Sequence, residues 1–303
     1  MEFRTRVEIP PARFHIEPAE SILLVGSCFA AEMGSRFRYN GFPATVNPYG
    51  TMYNPASIVH TIQRLIADET PITAQDEKYS LPIEAESALA TLRKKPGVVF
   101  LTLGTNHVYR LKSTGEIVDN CEKRPAALFQ EEELTIEQCA DYLSQSCQLL
   151  LEWNPDLHIV FTVSPIRYRK YGYHESQLSK ASLLLAIANH TSRLSPLTSH
   201  LSYFPAYEIF MDELRDYRFY AADMLHPSPQ AVDYVWERLT EWCFSPSAID
   251  YMHEWQPISK ALQHRPFDPN TESSIRFKME TAKKLETFRK KYEMPPVFKP
   301  LSD

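Results

Sequence analysis

The chain contains three short, almost continuous apolar segments, each followed by a glycine or by a Ser-Pro pair. They are Ile22–Val25 before Gly26, Val98–Leu103 before Gly104, and Leu157–Val163 before Ser164 and Pro165. Apolar segments of this length are typical of strands that helices cover on both faces, as in a parallel sheet. Two weaker segments, Phe42–Val46 and Leu201–Phe204, predict two more strands. The pattern therefore predicts a five-stranded, mostly parallel sheet.

Between these segments, apolar residues recur at helical spacing. Together with capping residues they predict four helices, which begin near Cys28, Thr135, Ser179 and Ser228. Thr135 and Gln138 have the spacing of a capping box, and Ser228 precedes a proline suited to the first helical position. Strands that alternate with helices form βαβ units. The chain is thus expected to fold as a flavodoxin-like, three-layer α/β/α sandwich over residues of roughly 18–245.

Two regions interrupt or follow this alternation. The segment Lys112–Ile117 alternates apolar and polar residues around Thr114-Gly115, which predicts a β-hairpin inserted near residues 107–120. After Pro246 the strand pattern ends, and an apolar stripe from Thr271 to Lys291 predicts one amphipathic helix. We therefore expect an α/β domain over residues 1–245 and a C-terminal extension over residues 246–303, whose helix packs on the domain.

Composition and charge narrow the possible classes of function. With 303 residues, a net charge of −6 and a pI near 6.0, the chain lacks the basic character of nucleic-acid binders, so no such partner is expected. No apolar stretch reaches the ~18 residues of a membrane helix, and no signal peptide is evident, which predicts no membrane partner and a cytoplasmic location. Five irregularly spaced cysteines are expected to be free thiols.

Motifs for bound groups are missing from the sequence. No His-Glu-x-x-His or Cys-x-x-Cys spacing occurs, so no metal is expected. Neither Gly-x-Gly-x-x-Gly nor the P-loop signature occurs, which disfavours a nucleotide-binding domain, and no cofactor is expected. The sequence leaves the oligomeric state open.

The residues after the first strand offer a nucleophile. Gly26, Ser27 and Cys28 lead directly into the first predicted helix. A thiol at a helix N-terminus lies at the positive end of the helix dipole beside backbone N–H groups, which lowers a thiol pKa and stabilises a developing oxyanion. The alternative is that Cys28 is a small buried residue and Gly26 an ordinary turn residue.

Three further loops carry complementary groups. Gly50 follows the second strand and Asn106 follows the third, and a glycine N–H and an asparagine amide are donors of the kind that an oxyanion hole uses. Asp223 and His226 lie just before the last helix of the domain. In a turn, such a carboxylate can accept a hydrogen bond from one imidazole nitrogen and leave the other aimed at a nucleophile. Each pattern alone is common, whereas their order along the chain is specific.

This order resembles the layout of the SGNH, or GDSL-type, hydrolases. The chain is similar to the GSCFA family, an SGNH-hydrolase-like group named for the motif that stands here at Gly26–Ala30. Other stretches that resemble the family are Asn47–Thr51, Leu103–Thr105, Asn120-Cys121, Ser164-Pro165, Ser179-Lys180 and Asp223–Pro227. The resemblance covers most of the chain up to Trp242 and implies an SGNH-hydrolase-like fold.

The resemblance also implies roles for individual residues. Aligned on the glycine of the first motif, Cys28 stands at the nucleophile, and Ser27 is the alternative if the alignment slides by one residue. The remaining roles fall to Gly50 and Asn106 with the Cys28 N–H as oxyanion hole, His226 as general base and acid, and Asp223 as the group that orients it.

These roles predict an acyl hydrolase or acyltransferase that acts on an ester or thioester through a covalent acyl-enzyme. Because a thiolate is a better leaving group than an alkoxide, His226 must protonate the departing oxygen. The expected partner is a small molecule or carbohydrate bearing an acyl group, with Tyr49 stacking on it and Arg167 receiving an anionic group. The alternative is a catalytically inactive module that binds an acylated or carbohydrate ligand.

Overall fold

The structure, a computed structural model, describes residues 4–67, 95–119, 121, 124–193, 198–268 and 270–293. Its strands are β1 (Ile22–Gly26), β2 (Ala44–Val46), β3 (Val98–Leu103), β4 (His107–Leu111), β5 (Ile117–Val118), β6 (Phe129–Glu133), β7 (His158–Val163) and β8 (Leu201–Tyr203). Its longer helices are α1 (Cys28–Tyr39), α2 (Pro55–Ile66), α3 (Ile136–Trp153), α4 (Tyr173–Arg193), α5 (Pro229–Cys243), α6 (Pro246–Gln263) and α7 (Glu272–Lys291).

A five-stranded sheet in the order β2-β1-β3-β7-β8 forms the centre of the fold, and every strand pair in it is parallel. Successive strand residues face opposite sides. Accordingly, Ile22 and Leu24 join the hydrophobic core shared with α1, α5 and α6, whereas Leu23 and Val25 join the core shared with α2, α3 and α4. The predicted α/β/α sandwich is confirmed.

Two of the predicted helices begin at the capping residues expected for them. Thr135 and Gln138 form the predicted capping box, and the Ser228 side chain accepts a hydrogen bond from the Ala231 N–H. Helix α4 begins at Tyr173 rather than at Ser179. Helix α2 was not predicted, although Asn54 as N-cap followed by a proline at the first position is a recognised start signal.

The insertion after β3 is a small antiparallel sheet in the order β5-β4-β6. Strands β4 and β5 form the predicted hairpin, with Tyr109 opposite Val118. Strand β6 pairs with the other edge of β4, with His107 opposite Glu133. Strand β6 was not predicted, because three of its five residues are glutamates and most of its side chains are exposed.

The C-terminal extension contains two helices in its described residues, where one was predicted. Pro257 lies inside α6 and breaks the helical sequence pattern there. The helix is nevertheless firmly attached, because Trp255 is fully buried and its Nε1 donates to the Tyr39 carbonyl at 2.9 Å. Helix α7 contacts it through Phe288, whose ring centroid lies 5.2 Å from that of Trp255. The extension therefore shares the core of the α/β unit.

His158 at the start of β7 is a buried histidine that resists protonation. Its ring stacks on Phe14 at 3.9 Å, and its Nε2 lies 3.0 Å from the Ser202 hydroxyl. Desolvation by burial, with the neighbouring charges of His200 and Arg13, lowers the pKa of His158 to about 4. The unfolded chain takes up this proton near pH 6.5, so stability is fully present above that pH and is lost as the pH falls towards 4.

We expect the free energy of unfolding to fall by about 3 kcal/mol between pH 6.5 and pH 4 through this residue. In His158→Phe the stack is preserved and the titration removed, so the variant should lose this part of the pH dependence. Urea unfolding at several pH values measures the difference. An identical pH dependence in both proteins would contradict the assignment.

Candidate active site

The loops that follow β1, β2 and β3 are bonded together at the carboxyl edge of the parallel sheet. The Asn47 side-chain oxygen accepts a hydrogen bond from the Gly26 N–H at 2.8 Å. The Tyr53 carbonyl accepts from the N–H groups of both Gly104 and Thr105, each at 2.8 Å. This is the edge at which open α/β sheets bind ligands. Residues from the three loops, among them Gly26, Asn47, Tyr53 and Gly104, are therefore neighbours.

Gly26 ends β1 where no larger residue fits. Its φ is +147°, and a Cβ atom on it would lie 2.1 Å from the carbonyl oxygen of Thr102. The following residue, Ser27, donates its N–H to that same carbonyl at 3.1 Å. The close approach of β1 to β3 thus sets the position from which α1 starts.

Ser27 and Cys28 have different surroundings. Ser27 is the N-cap of α1, with its hydroxyl oxygen accepting from the Phe29 N–H at 3.3 Å, and it is 1% exposed. Cys28 is the first residue of α1 and is also buried. Its Sγ lies 3.4 Å from the hydroxyl of Tyr53, within hydrogen-bonding distance for sulfur. The hydroxyl of Ser27 therefore caps the helix, whereas the sulfur of Cys28 contacts the side chain of Tyr53 from a neighbouring loop.

Asp223 and His226 form a hydrogen-bonded pair in the turn before α5. His226 Nδ1 lies 2.6 Å from Asp223 Oδ2, and both side chains are partly exposed. Oδ1 of the same carboxylate accepts from the N–H groups of Leu225 and His226, at 2.9 and 3.0 Å. Although desolvation acts to raise it, these hydrogen bonds hold the pKa of Asp223 at about 2. The carboxylate therefore stays ionised and holds the imidazole through Nδ1, so proton transfer would use Nε2.

Arg167, predicted to receive an anionic group, is engaged with the Asp223–His226 turn. Its guanidinium donates to the Met224 carbonyl at 3.2 Å, and its backbone N–H donates to the Leu225 carbonyl at 3.1 Å. The guanidinium also lies over the ring of Tyr173, 3.9 Å from its centroid. Because these contacts tie the loop after β7 to the turn, they favour a supporting role over direct binding of an anion.

The two predicted oxyanion-hole donors already have acceptors. The Gly50 N–H donates to the Asn47 carbonyl at 2.9 Å in a turn where Gly50 has a φ of +97°. One amide hydrogen of Asn106 goes to the Leu134 carbonyl at 2.9 Å, and its backbone N–H goes to the Ser179 hydroxyl at 3.0 Å. In this conformation the Gly50 N–H is therefore committed to its own turn, and Asn106 joins its loop to the structure around it.

Tyr49 lies in the core rather than at a ligand-facing surface. Its side chain belongs to the core shared with α2 and is 6% exposed. The guanidinium of Arg64 covers its ring, 4.2 Å from the centroid. The predicted stacking of Tyr49 on a substrate does not fit this placement, because the ring is already packed. Asn120, part of the predicted family resemblance, lies outside the described residues.

A cavity of about 610 Å³ opens beside Tyr53, between the loops of the main sheet and the inserted small sheet. Its aromatic and hydroxyl-bearing lining includes Tyr53, Thr105, His107, Tyr109, Tyr168 and Tyr171. The rings of His107 and Tyr171 stack at 3.7 Å, and Tyr168 meets Tyr53 edge-on at 5.7 Å. The chain has sixteen tyrosines, and nothing in the sequence distinguishes Tyr53, because its contact with Cys28 depends on the fold.

The ionisable groups around this cavity are largely paired with one another. Glu131 lies 3.2 Å from both His107 Nδ1 and Lys170 Nζ. Asp119 lies 2.8 Å from His60 Nδ1, a contact that raises the pKa of His60. The cavity therefore presents aromatic rings and polar groups without a concentrated charge of one sign.

The described ranges lack two kinds of feature, clustered metal ligands and membrane-spanning helices. No three His, Cys, Asp or Glu side chains come together there as ligands for a metal ion. None of the helices in the described ranges has the length and apolar character needed to cross a membrane.

Among solved structures, the chain resembles several esterases at low sequence identity. The inhibitor-bound aryl esterase of M. Smegmatis is 11% identical with a TM-score of 0.41, and the match covers 74% of this chain and 97% of that one. A carbohydrate esterase family 3 protein from Talaromyces cellulolyticus is 9% identical with a TM-score of 0.41, over 77% and 98%. A carbohydrate esterase family 2 enzyme from Corynascus thermopiles is 14% identical with a TM-score of 0.40, over 82% and 69%.

Comparison with curated proteins returns no match. Two sequence-family models do match. The GSCFA family model covers residues 21–239, which include β1, the N-terminus of α1 and the Asp223–His226 turn. The model described as GSCFA domain protein, C-terminal domain, covers residues 255–295, which lie in α6 and α7 and beyond. The chain therefore belongs to the GSCFA family.

Proposed function

We propose that the chain is an SGNH-type acyl hydrolase or acyltransferase with Cys28 as its nucleophile. His226 serves as general base and acid, and Asp223 orients its imidazole. The observation that carries the proposal is the Asp223–His226 pair, in which one carboxylate binds Nδ1 and also two backbone N–H groups. A carboxylate held in this way fixes both the tautomer and the direction of an imidazole, as a catalytic base requires.

The position of Cys28 supports its role as the nucleophile. As the first residue of α1 it lies at the positive end of a helix dipole, which favours a thiolate. The hydroxyl of Tyr53, 3.4 Å from the sulfur, is placed to donate a hydrogen bond to that thiolate. Ser27 is the less suitable nucleophile, because its hydroxyl oxygen caps the helix.

The proposed reaction has two steps. His226 first takes the proton of the Cys28 thiol. The resulting thiolate attacks the carbonyl carbon of the ester, a C–S bond forms, and the carbonyl electron pair moves onto oxygen. When the tetrahedral intermediate collapses, the C–O bond to the alcohol breaks, and the departing oxygen takes a proton from His226. The thioester is then attacked by water or by an acceptor hydroxyl, which gives its proton to His226, and the thiolate leaves.

The oxyanion hole requires a local rearrangement. The Cys28 N–H at the helix terminus is one proposed donor, joined by the Gly50 N–H and the remaining amide hydrogen of Asn106. The Gly50 N–H must first leave the Asn47 carbonyl. This observation favours a second candidate function, in which the chain binds an acylated ligand without turning it over.

The cavity is connected to the proposed nucleophile through Tyr53, which lines it and contacts Cys28, whereas Cys28 and His226 are not part of its lining. It would suit a neutral, polar substrate such as a small ester or an acylated carbohydrate. Its volume of about 610 Å³ lies within the range of about 300–1,000 Å³ found for small-molecule sites. Tyrosine rings and hydroxyl groups suit the apolar faces and hydroxyl groups of a sugar ring, and the internally paired charges give no preference for an anion.

The test is a turnover assay with p-nitrophenyl acetate, an acetyl thioester and an acetylated monosaccharide. Release of product by the purified chain, lost in Cys28→Ala and in His226→Gln, is the result expected of an acyl-transfer enzyme. Binding of the acetylated sugar by calorimetry, without turnover of any of the three compounds, would instead support the binding module.

Ser27→Ala provides the matched control for Cys28→Ala. Loss of the N-cap is expected to lower the free energy of unfolding by about 1 kcal/mol, because the Phe29 N–H loses its acceptor. Turnover at a temperature where the variant remains folded should fall by less than about tenfold. Urea unfolding and steady-state kinetics measure both effects. Full loss of turnover in folded Ser27→Ala would indicate that Ser27, and not Cys28, is the nucleophile.

A further inference from the structure

Lys180 is a buried lysine in the middle of α4. Its side chain is 2% exposed, and its Nζ donates a hydrogen bond to the Gly104 carbonyl at 2.6 Å. No carboxylate among the described residues forms an ion pair with it, and the titratable group that faces it is Tyr168, whose ring centroid lies 5.5 Å away. A buried ammonium without a counter-ion reduces stability. Residues that reduce stability in this way are common at functional sites.

Burial of Lys180 also changes its protonation equilibrium. Desolvation by burial lowers the pKa of Lys180 from 10.5 to about 7. Tyr168 remains neutral there, because burial raises its pKa well above the ordinary value. Between pH 7 and 10.5 the unfolded chain holds the proton that the folded chain has lost, so this lysine lowers stability most at and below pH 7.

Lys180 is connected to Cys28 through consecutive hydrogen bonds. The Gly104 carbonyl accepts from Lys180, and the N–H groups of Gly104 and Thr105 both donate to the Tyr53 carbonyl. The hydroxyl of Tyr53 in turn lies 3.4 Å from the sulfur of Cys28. The peptide unit that Lys180 binds is therefore the same one that holds Tyr53 in place.

We propose that Lys180 is a positioning residue for Cys28, acting through Gly104 and Tyr53. The proposal rests on Cys28 being the nucleophile of the proposed function. The Nζ–H of Lys180 fixes the Gly104 carbonyl, the Gly104–Thr105 segment fixes the Tyr53 backbone, and the Tyr53 hydroxyl stabilises the thiolate. When Lys180 is removed, the Gly104 carbonyl is held less firmly and the hydroxyl of Tyr53 loses its fixed position beside the sulfur.

The experiment follows thiolate formation by ultraviolet absorbance against pH, taking the difference between each protein and its own Cys28→Ser version. It needs no turnover, so it remains informative if the proposed function fails. We expect Lys180→Met and Tyr53→Phe each to move the midpoint of thiolate formation at Cys28 upwards by about one pH unit. The double variant should show no further shift, because Lys180 acts through the Tyr53 hydroxyl.

Two more variants separate positioning from general effects. Lys112→Met removes an exposed lysine that also donates to a carbonyl, that of Ala127, and should leave the midpoint unchanged. Lys180→Gln keeps a donor for the Gly104 carbonyl and should restore at least half of the shift. Lys180→Met should also raise the urea midpoint at pH 7, because it removes a buried charge.

Several results would overturn the proposal. An unchanged thiolate midpoint in Lys180→Met would show that Lys180 does not act on Cys28. Additive shifts of Lys180→Met and Tyr53→Phe would show that it acts by another route. If Lys180→Met and Lys180→Gln both shifted the thiolate midpoint upwards and both lowered the urea midpoint, Lys180 would have only a structural role. An absence of ester turnover with these shifts intact would reject only the proposed function.

Discussion

Replacing Cys28 with alanine is expected to lower kcat/KM for p-nitrophenyl acetate by about 10³–10⁶-fold, the range typical of a removed nucleophile. The loss follows because no other group on the described site can form the covalent bond from the N-terminus of α1, where Ser27 is the helix cap. Steady-state kinetics measure it, and circular dichroism shows whether the variant remains folded.

Cys28→Ser is the informative partner of that variant. Serine preserves the shape of the site, but its hydroxyl needs His226 to remove its proton, whereas a thiol is already partly ionised near neutral pH. Its residual activity should therefore depend on His226 more strongly than that of the wild type. Full turnover in folded Cys28→Ala would show that Cys28 is not the nucleophile.

Asp223→Asn is expected to reduce kcat by about 10²–10⁴-fold, with a smaller effect on KM. An asparagine preserves the size of the side chain but not its charge, so the imidazole loses both its oriented partner and the stabilisation of its protonated form. The variant also weakens the acceptor for the N–H groups of Leu225 and His226. Kinetics at saturating substrate separate the effect on kcat from any effect on binding.

The pKa of Asp223 predicts how the wild type behaves in acid. Because that pKa is held at about 2, the carboxylate remains ionised down to about pH 3, and its contribution to stability is lost only below its ordinary value of 3.8. Protonation of Asp223 itself should therefore cause no loss of activity at pH 4–6. The carboxyl midpoint of Asp223, followed by NMR as the pH is lowered, should lie well below 3.8, and a midpoint at or above 3.8 would contradict the assignment.

The fold was predictable because each buried strand is covered on both faces and is therefore apolar along its whole length. Cap residues such as Thr135 and Ser228 identified helix starts because a capping hydrogen bond joins residues that are close in sequence. The prediction was incomplete where the local pattern is ambiguous. Helix α6 was not predicted because Pro257 interrupts its helical sequence pattern. Strand β6 was not predicted because its glutamate side chains mostly face solvent.

The candidate site was predictable only in part. The Asp223–His226 contact spans three residues in one turn, so spacing alone anticipates it. The surroundings of Tyr49 and Arg167 depend on residues far away in sequence, and both side chains have packing partners that the sequence could not indicate. The same holds for Tyr53 and Lys180, whose link to Cys28 exists only once three loops and α4 are assembled.

If Cys28 is the nucleophile, the acyl group is carried during the reaction on the sulfur at the start of α1. The most direct measurement is to mix the chain with p-nitrophenyl acetate, quench in acid, digest, and locate the acetyl group by tandem mass spectrometry. We expect acetyl on Cys28 and its removal by neutral hydroxylamine, as for a thioester. Acetyl on Ser27, or turnover with no acyl group on Cys28 at any quench time, would contradict it.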